Sequence, residues 1–135
     1  MSQEVAIRQS LADCKTIAVV GLSPKPHRDS FRVSKYMQDH GFRIVPINPN
    51  APEVLGERAY ASLTEAAQHE RIDMVNCFRN SEDIPPIAAE AIAIGAKSLW
   101  LQIGVAHDDA AAQATAAGLV VVQNRCLMVE HRQLK

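Results

Sequence analysis

Lys25, His27, Arg28 and Arg32 crowd into one short stretch, with Asp29 as the one acid among them. They follow directly on Gly21, Leu22 and Ser23, are interleaved with Pro24 and Pro26, and enclose Ser30. These residue types in this order suit phosphate. A guanidinium offers two parallel N–H donors and an ammonium a compact charge. The backbone amides of a glycine turn that opens a helix add free donors and the positive end of the helix dipole. Ser30 is read as the N-cap of that helix. His27 is a loop surface residue rather than a general base. His40, His69 and His131 stand at helix ends or on the surface, with no metal-ligand spacing among them.

The remaining reactive side chains are scattered. Cys14, Cys77 and Cys126 are odd in number, far apart and in no metal pattern, which implies a reducing, cytoplasmic setting and no disulfide framework. Cys77 ends an expected buried strand and reads as core, and Trp100 between Leu99 and Leu101 reads as core or an interface anchor. Asp108 and Asp109 read as helix-start charges rather than an acid pair. Arg79 follows a buried strand directly, a position where open α/β sheets place ligand contacts.

The elements that must carry these residues alternate. Ile17 to Val20 are four apolar residues in a row, as in a strand covered on both faces, and Gly21 stops it. Further strands are expected over 42–47, 73–77, 98–102 and 119–122. Helices are expected over 3–14, 30–40 and 62–69, from Ser81 to Gly95, and from Asp108 to Gly118. Val33, Tyr36, Met37 and His40 mark the inner face of the second helix, and Gly41 its end. Ser62 and Glu65 form a capping box, and Ser81 caps the helix whose first turn holds Pro85 and Pro86. Residues 54–60 read as a connecting loop and 124–132 as a tail. Pro46 lacks an N–H, so its strand must be irregular or unpartnered there.

This alternation predicts an α/β fold: a Rossmann-like, doubly wound, five-stranded parallel sheet with helices on both faces, in a single domain over 1–135 with its core at about 10–132. Ligands of such sheets bind beyond the carboxyl ends of the strands, so the five strand exits should form one cleft. The chain has 135 residues, 47 % hydrophobic and 21 % charged, enough for one packed core. A net charge of −1 speaks against general nucleic-acid binding, and no apolar run reaches the ~20 residues of a membrane span. The N-terminal residues lack the basic-then-apolar order of a signal peptide.

A dinucleotide site of the usual kind fits poorly. It wants G-x-G-x-x-G and an acid after the second strand. This turn has one glycine and two prolines, and the second strand ends in Ile47, Asn48 and Pro49.

A more specific resemblance emerges from the ordered set Ala18-Val19-Val20-Gly21-Leu22-Ser23, Ile44-Val45-Pro46-Ile47-Asn48-Pro49, Leu55-Gly56, Asp73 through Phe78-Arg79, Gly95-Ala96-Lys97, Trp100-Leu101-Gln102 with Gly104, and Asn124-Arg125-Cys126. It resembles the small, stand-alone CoA-binding proteins, whose Rossmann-like domain also stands at the front of the succinyl-CoA synthetase α subunit. The resemblance implies a coenzyme A or acyl-CoA ligand. Gly21, Leu22, Ser23 and Ser30 would hold the pyrophosphate. Lys25, Arg28 and Arg32 would meet phosphate, including the 3′-phosphate. Asn48 and Pro49 would flank the adenine or ribose, Phe78 and Arg79 would border the adenine–phosphate part, and Gln102 and Gly104 would line the pantetheine route.

The synthetase α subunit also carries a phosphorylated histidine in a glycine-rich loop of a second domain. His107 lacks that setting, so the ligase reaction is not expected of this chain alone. A non-catalytic carrier, sensor or regulatory subunit is the leading expectation, with a homodimer or protein partner in view. The alternatives are a small NADP-type oxidoreductase, a CoA-transfer module using Cys126, or a structural subunit. Beside Arg125, Cys126 is the thiol placed to form a mixed disulfide with CoA, although most free cysteines are inert packing.

Overall fold

The computed structural model describes residues 2–134. In chain order it runs α1 Gln3–Asp13, β1 Thr16–Val20, α2 Asp29–Asp39, β2 Arg43–Ile47, β3 Glu53–Val54, β4 Glu57–Arg58, α3 Leu63–Ala67, β5 Met74–Cys77, α4 Ile84–Ala93, β6 Ser98–Leu101, α5 Asp108–Ala116, β7 Val120–Val122 and α6 Leu127–Gln133. A 3₁₀ turn, Ser81–Asp83, leads into α4. Five strands form one sheet in the order β2-β1-β5-β6-β7, and every neighbouring pair is parallel. This is the expected doubly wound, Rossmann-like α/β fold. Its direction of winding reverses between β1 and β5, the switch point where such sheets open a crevice.

Side-chain alternation along the strands builds two cores. Ala18, Val75, Cys77, Leu99 and Leu101 face α3, α4 and α5 through Leu63, Ile84, Ala88 and Ala114. Ile17, Val19, Met74, Trp100 and Val122 face α1, α2 and α6 through Ile7, Val33, Met37 and Leu127. Strands buried on both sides explain why the sequence shows continuous apolar runs rather than alternation. Trp100 is fully buried, and its Nε1 donates to the Arg125 carbonyl at 2.9 Å, so it is core as expected.

Pro46 is accommodated because β2 is a sheet edge. The Pro46 carbonyl accepts from the Tyr60 N–H at 3.0 Å, and the Asn48 N–H donates to the Tyr60 carbonyl at 2.9 Å. The side of Pro46 that lacks an N–H therefore faces outward, away from β1. Gly41, at φ +93°, lets α2 end in a Schellman arrangement, with Phe42 N–H donating to the Met37 carbonyl and Gly41 N–H to that of Gln38.

Several expectations are corrected. Residues 54–60 are not simply a loop: β3 and β4 pair antiparallel around Leu55 and Gly56, both at positive φ, in a two-residue hairpin. The tail is helical over Leu127–Gln133. Ser30 is not the N-cap of α2; Arg28 holds that position and no side chain caps it. Ser81 does not cap α4. Its hydroxyl accepts from the Ala106 N–H at 3.0 Å and so anchors the β6–α5 loop. His40 is exposed and stacks on Tyr36 instead of joining the inner face of α2.

Candidate functional site

The exits of β2, β1 and β5 wall a cleft of about 640 Å³, with Pro86 and Ile87 of α4 across from them. Gly21, Ser23, Asn48, Pro49 and Arg79 all line it. Gly21 sits at φ +86°, and a Cβ built there would lie 2.5 Å from the Phe78 carbonyl oxygen and 3.2 Å from Arg79 Cδ. Only glycine lets these two strand exits pass so closely. Its N–H donates to the Ile47 carbonyl at 3.1 Å, while Phe78 N–H donates to the Val20 carbonyl at 2.9 Å. The end of β1 is thus held from both sides.

Asn48 fixes the next wall. Its Nδ2 donates to the Leu22 carbonyl at 2.9 Å, and its Oδ1 accepts from the Asn50 N–H at 2.8 Å. An aspartate there would lack the donor that ties β2 to the turn after β1. The Ser30 hydroxyl accepts from the Ser23 N–H at 3.0 Å, and the Ser23 hydroxyl from the Lys25 N–H at 3.1 Å. Ser30 therefore shapes the turn, and the Ser23 amide is already engaged. What remains for an anion is the start of α2. The amides of Asp29, Ser30 and Phe31 have no intrahelical acceptor, and no side chain caps them. Two prolines precede this uncapped end.

The basic loop divides into used and unused cations. Arg32 donates to the His27 carbonyl and pairs with Asp29. Lys25 and Arg28 are exposed, and among the described residues neither side chain has a hydrogen-bond or ion-pair partner. Arg79 is half exposed and pairs with Asp83 at 3.3 Å. Glu82, Asp83 and Glu90 also line the cleft. Glu90 Oε2 accepts from the Thr64 N–H at 2.9 Å and hydroxyl at 2.7 Å. The pairing of Arg79 with a nearby acid is foreseeable from the sequence, where Asp83 stands four residues beyond it, but Glu82 and Glu90 in this wall carry no such signal.

The other expected site residues lie apart. Phe78 and Gln102 line a second pocket of about 250 Å³ on the opposite face, between α2 and α6. The Leu22 side chain is wholly buried, which leaves only its backbone for a ligand. Gly104 N–H donates to Asn124 Oδ1 at 2.7 Å in the β6–α5 loop. The strand exits thus wall two pockets rather than one cleft.

The groups whose acidity is most displaced are elsewhere. Burial pushes the Cys14 and Cys77 thiols up to about 12, with Asp73 adding to the effect on Cys14, so neither is a nucleophile. Burial by itself would raise the Asp73 carboxyl. The N–H groups of Lys15 and Thr16, at 2.9 and 3.0 Å, together with Lys97 and Arg71, outweigh it and hold Asp73 below the usual carboxylate range. Asp73 precedes β5 at the amino edge of the sheet, far from the strand exits, so its role is structural. His107 caps α5, with Nδ1 accepting from the Ala110 N–H at 3.1 Å. Among the described residues no group of three or more His, Cys, Asp or Glu could hold a metal ion, and no helix is long and apolar enough to cross a membrane.

Comparison with known proteins adds an independent line. The family described as CoA binding domain matches residues 15–132. The uncharacterized protein YneT of Bacillus subtilis is 41 % identical over 129 residues, covering 96 % of this chain and 94 % of its own. A solved structure of a hypothetical protein from Pyrococcus horikoshii superposes with a TM-score of 0.91 at 39 % identity, covering 99 % of this chain and 92 % of that one. An ADP-forming acetate–CoA ligase of Archaeoglobus fulgidus is 28 % identical over 85 residues, which is 62 % of this chain but 12 % of the ligase.

Proposed function

This chain belongs to the CoA binding domain family, and from that premise we propose that it binds coenzyme A or an acyl-CoA by its phosphorylated end in the cleft between the exits of β1, β2 and β5. The observation that carries the reading is the Gly21 cradle beside an uncapped α2. The turn after Gly21 is tied to the start of α2 by the Ser23 N–H donating to the Ser30 hydroxyl at 3.0 Å, and three amides at that start lack intrahelical acceptors, although Asp29 and Arg32 there line the second pocket rather than the cleft. Amides at a helix start favour phosphate through their free N–H groups and the helix dipole. Lys25 and Arg28, free of internal partners, are the cations available for the 3′-phosphate. Asn48 and Pro49 offer the flank for adenine or ribose, and Arg79 borders the phosphates once it leaves Asp83.

Of the three carboxylates of the cleft, Glu90 is engaged by Thr64, and Asp83 is released when Arg79 turns to the phosphates. The role proposed is that of a carrier, sensor or regulatory subunit for the CoA pool.

Titration calorimetry with CoA, dephospho-CoA, NADPH and ATP tests this. CoA is expected to bind, and dephospho-CoA about tenfold more weakly, the equivalent of ~1.4 kcal/mol for one charge-assisted contact. Equal binding of CoA and dephospho-CoA would remove Lys25 and Arg28 from the site. Absence of CoA binding would overturn the assignment.

A further inference from the structure

Phe78 and Arg79 are consecutive residues just past β5, yet they line different pockets: Arg79 the first cleft, Phe78 the second. Successive side chains at a strand exit point to opposite faces, with Cα atoms ~3.8 Å apart. A ligand whose phosphates lie against Arg79 therefore needs to cross only the rim of the sheet to reach Phe78. The second pocket is walled by the charged Asp29 and Arg32 and the apolar Val33 of α2, by Phe78 and Ile103 at the strand exits, and by Met128 and Val129 at the start of α6. Ile103 is 68 % exposed, the most exposed large apolar side chain among the described residues. It stands next to Gln102, which is buried with Nε2 donating to Asn76 Oδ1 at 2.9 Å. Asn76 is itself buried in the sheet behind Gln102, so this bond fixes the Gln102 side chain from below.

We propose that this second pocket holds the acyl group of a bound acyl-CoA, and that it selects uncharged, apolar acyl groups over dicarboxylic ones. The inference rests on the first cleft holding the nucleotide end. Charge decides the selectivity. A dicarboxylic acyl group brings a free carboxylate beyond its thioester, and that carboxylate would face Asp29, which lines the pocket beside Arg32. An apolar chain instead covers Ile103, Met128 and Val129. Each methylene so buried multiplies affinity by roughly fourfold.

The test is calorimetry with free CoA, butyryl-CoA and succinyl-CoA on the native chain and on two variants, Ile103→Asn and Val129→Trp. Free CoA serves as the internal reference. In the native chain butyryl-CoA should bind at least about fivefold more tightly than CoA, and succinyl-CoA no more tightly than CoA. Val129→Trp fills the pocket and should abolish the butyryl advantage. Ile103→Asn, on an exposed side chain that carries no core packing, should cut it about threefold. Equal binding of butyryl-CoA and CoA in the native chain, an equal gain for succinyl-CoA, or an advantage unchanged in both variants would overturn the acyl pocket while leaving the nucleotide site standing. Failure of free CoA to bind would instead remove both.

Discussion

Gly21 and Phe78 touch backbone to backbone: a Cβ on the glycine would lie 2.5 Å from the phenylalanine carbonyl oxygen. Gly41 has a similar positive φ, +93° against +86°, but nothing stands within 4 Å of its would-be Cβ. The two positions separate backbone strain from collision. Gly41→Ala should cost only the left-handed penalty, about 1–2 kcal/mol. Gly21→Ala should cost distinctly more, because the β1 and β5 exits must move apart, and CoA binding should be lost with it. Urea unfolding of both variants, with CoA titration of each, measures the difference. Equal destabilisation would mean the exits are free to shift.

Arg79 and Asp83 set up opposite signs at one site. Their pair is half exposed and contributes at most about 1 kcal/mol to stability. Arg79→Ala should weaken CoA binding, since a cation bordering the phosphates is removed. Asp83→Ala should strengthen it roughly two- to fivefold, because a carboxylate leaves the cleft and Arg79 is released. Neither variant should move the melting temperature by more than a few degrees. Two changes of the same sign would show that Arg79 supports the loop rather than the ligand.

Much of the architecture was legible because it rests on local patterns. β1 follows from Ile17 to Val20, and the end of α2 from Gly41. What escaped depended on partners distant in the chain. Ser30 and Ser81 look like helix caps, yet the first accepts from Ser23 and the second from Ala106. No rule of spacing distinguishes a capping hydroxyl from one that holds a loop. The hairpin at residues 53–58 has strands of two residues, too short for a period to register, and places Leu55 at a positive φ. Helix α6 was hidden because Leu127, Met128 and Val129 are contiguous and polar residues follow, so no helical stripe forms. The site divides in the same way. Residues of one strand exit appear as one motif in sequence, but Phe78 and Arg79 diverge in space because neighbours on a strand face apart.

Lys25 and Arg28 should act through charge at a solvent-exposed place. Arg28→Ala is expected to weaken CoA by about threefold to tenfold at low salt and by much less at ~1 M salt, where the Debye length falls to ~3 Å. Dephospho-CoA should respond less than CoA at every salt concentration. Calorimetry across a salt series measures both. A loss independent of salt would mean that Arg28 shapes the loop instead of meeting the phosphate.

At the other edge of the sheet, Asp73 stitches the starts of β1 and β5 together. Its carboxylate accepts from Lys15 and Thr16, and its own N–H donates to the Thr16 carbonyl at 3.0 Å. Asp73→Asn replaces one acceptor oxygen by a donor and removes the charge facing Lys97 at 3.7 Å. At pH 7 this should cost about 1.5–3 kcal/mol, the range for hydrogen bonds to a charged group. The sign with pH follows from the lowered carboxyl pKa. The ionised form is favoured by the fold, so its contribution is complete above the unfolded-state pKa of ~3.9 and is lost as pH falls through the lower folded value. Native chain and variant should therefore differ most at neutral pH and converge in acid below about pH 3.9. CoA affinity at pH 7 should not change, because Asp73 lies at the end of the sheet away from the ligand. Urea unfolding of both proteins from neutral to acid pH, with one CoA titration of the variant, checks each part. A gap in stability that persists unchanged into acid would show that the side chain acts by packing and not through its charge.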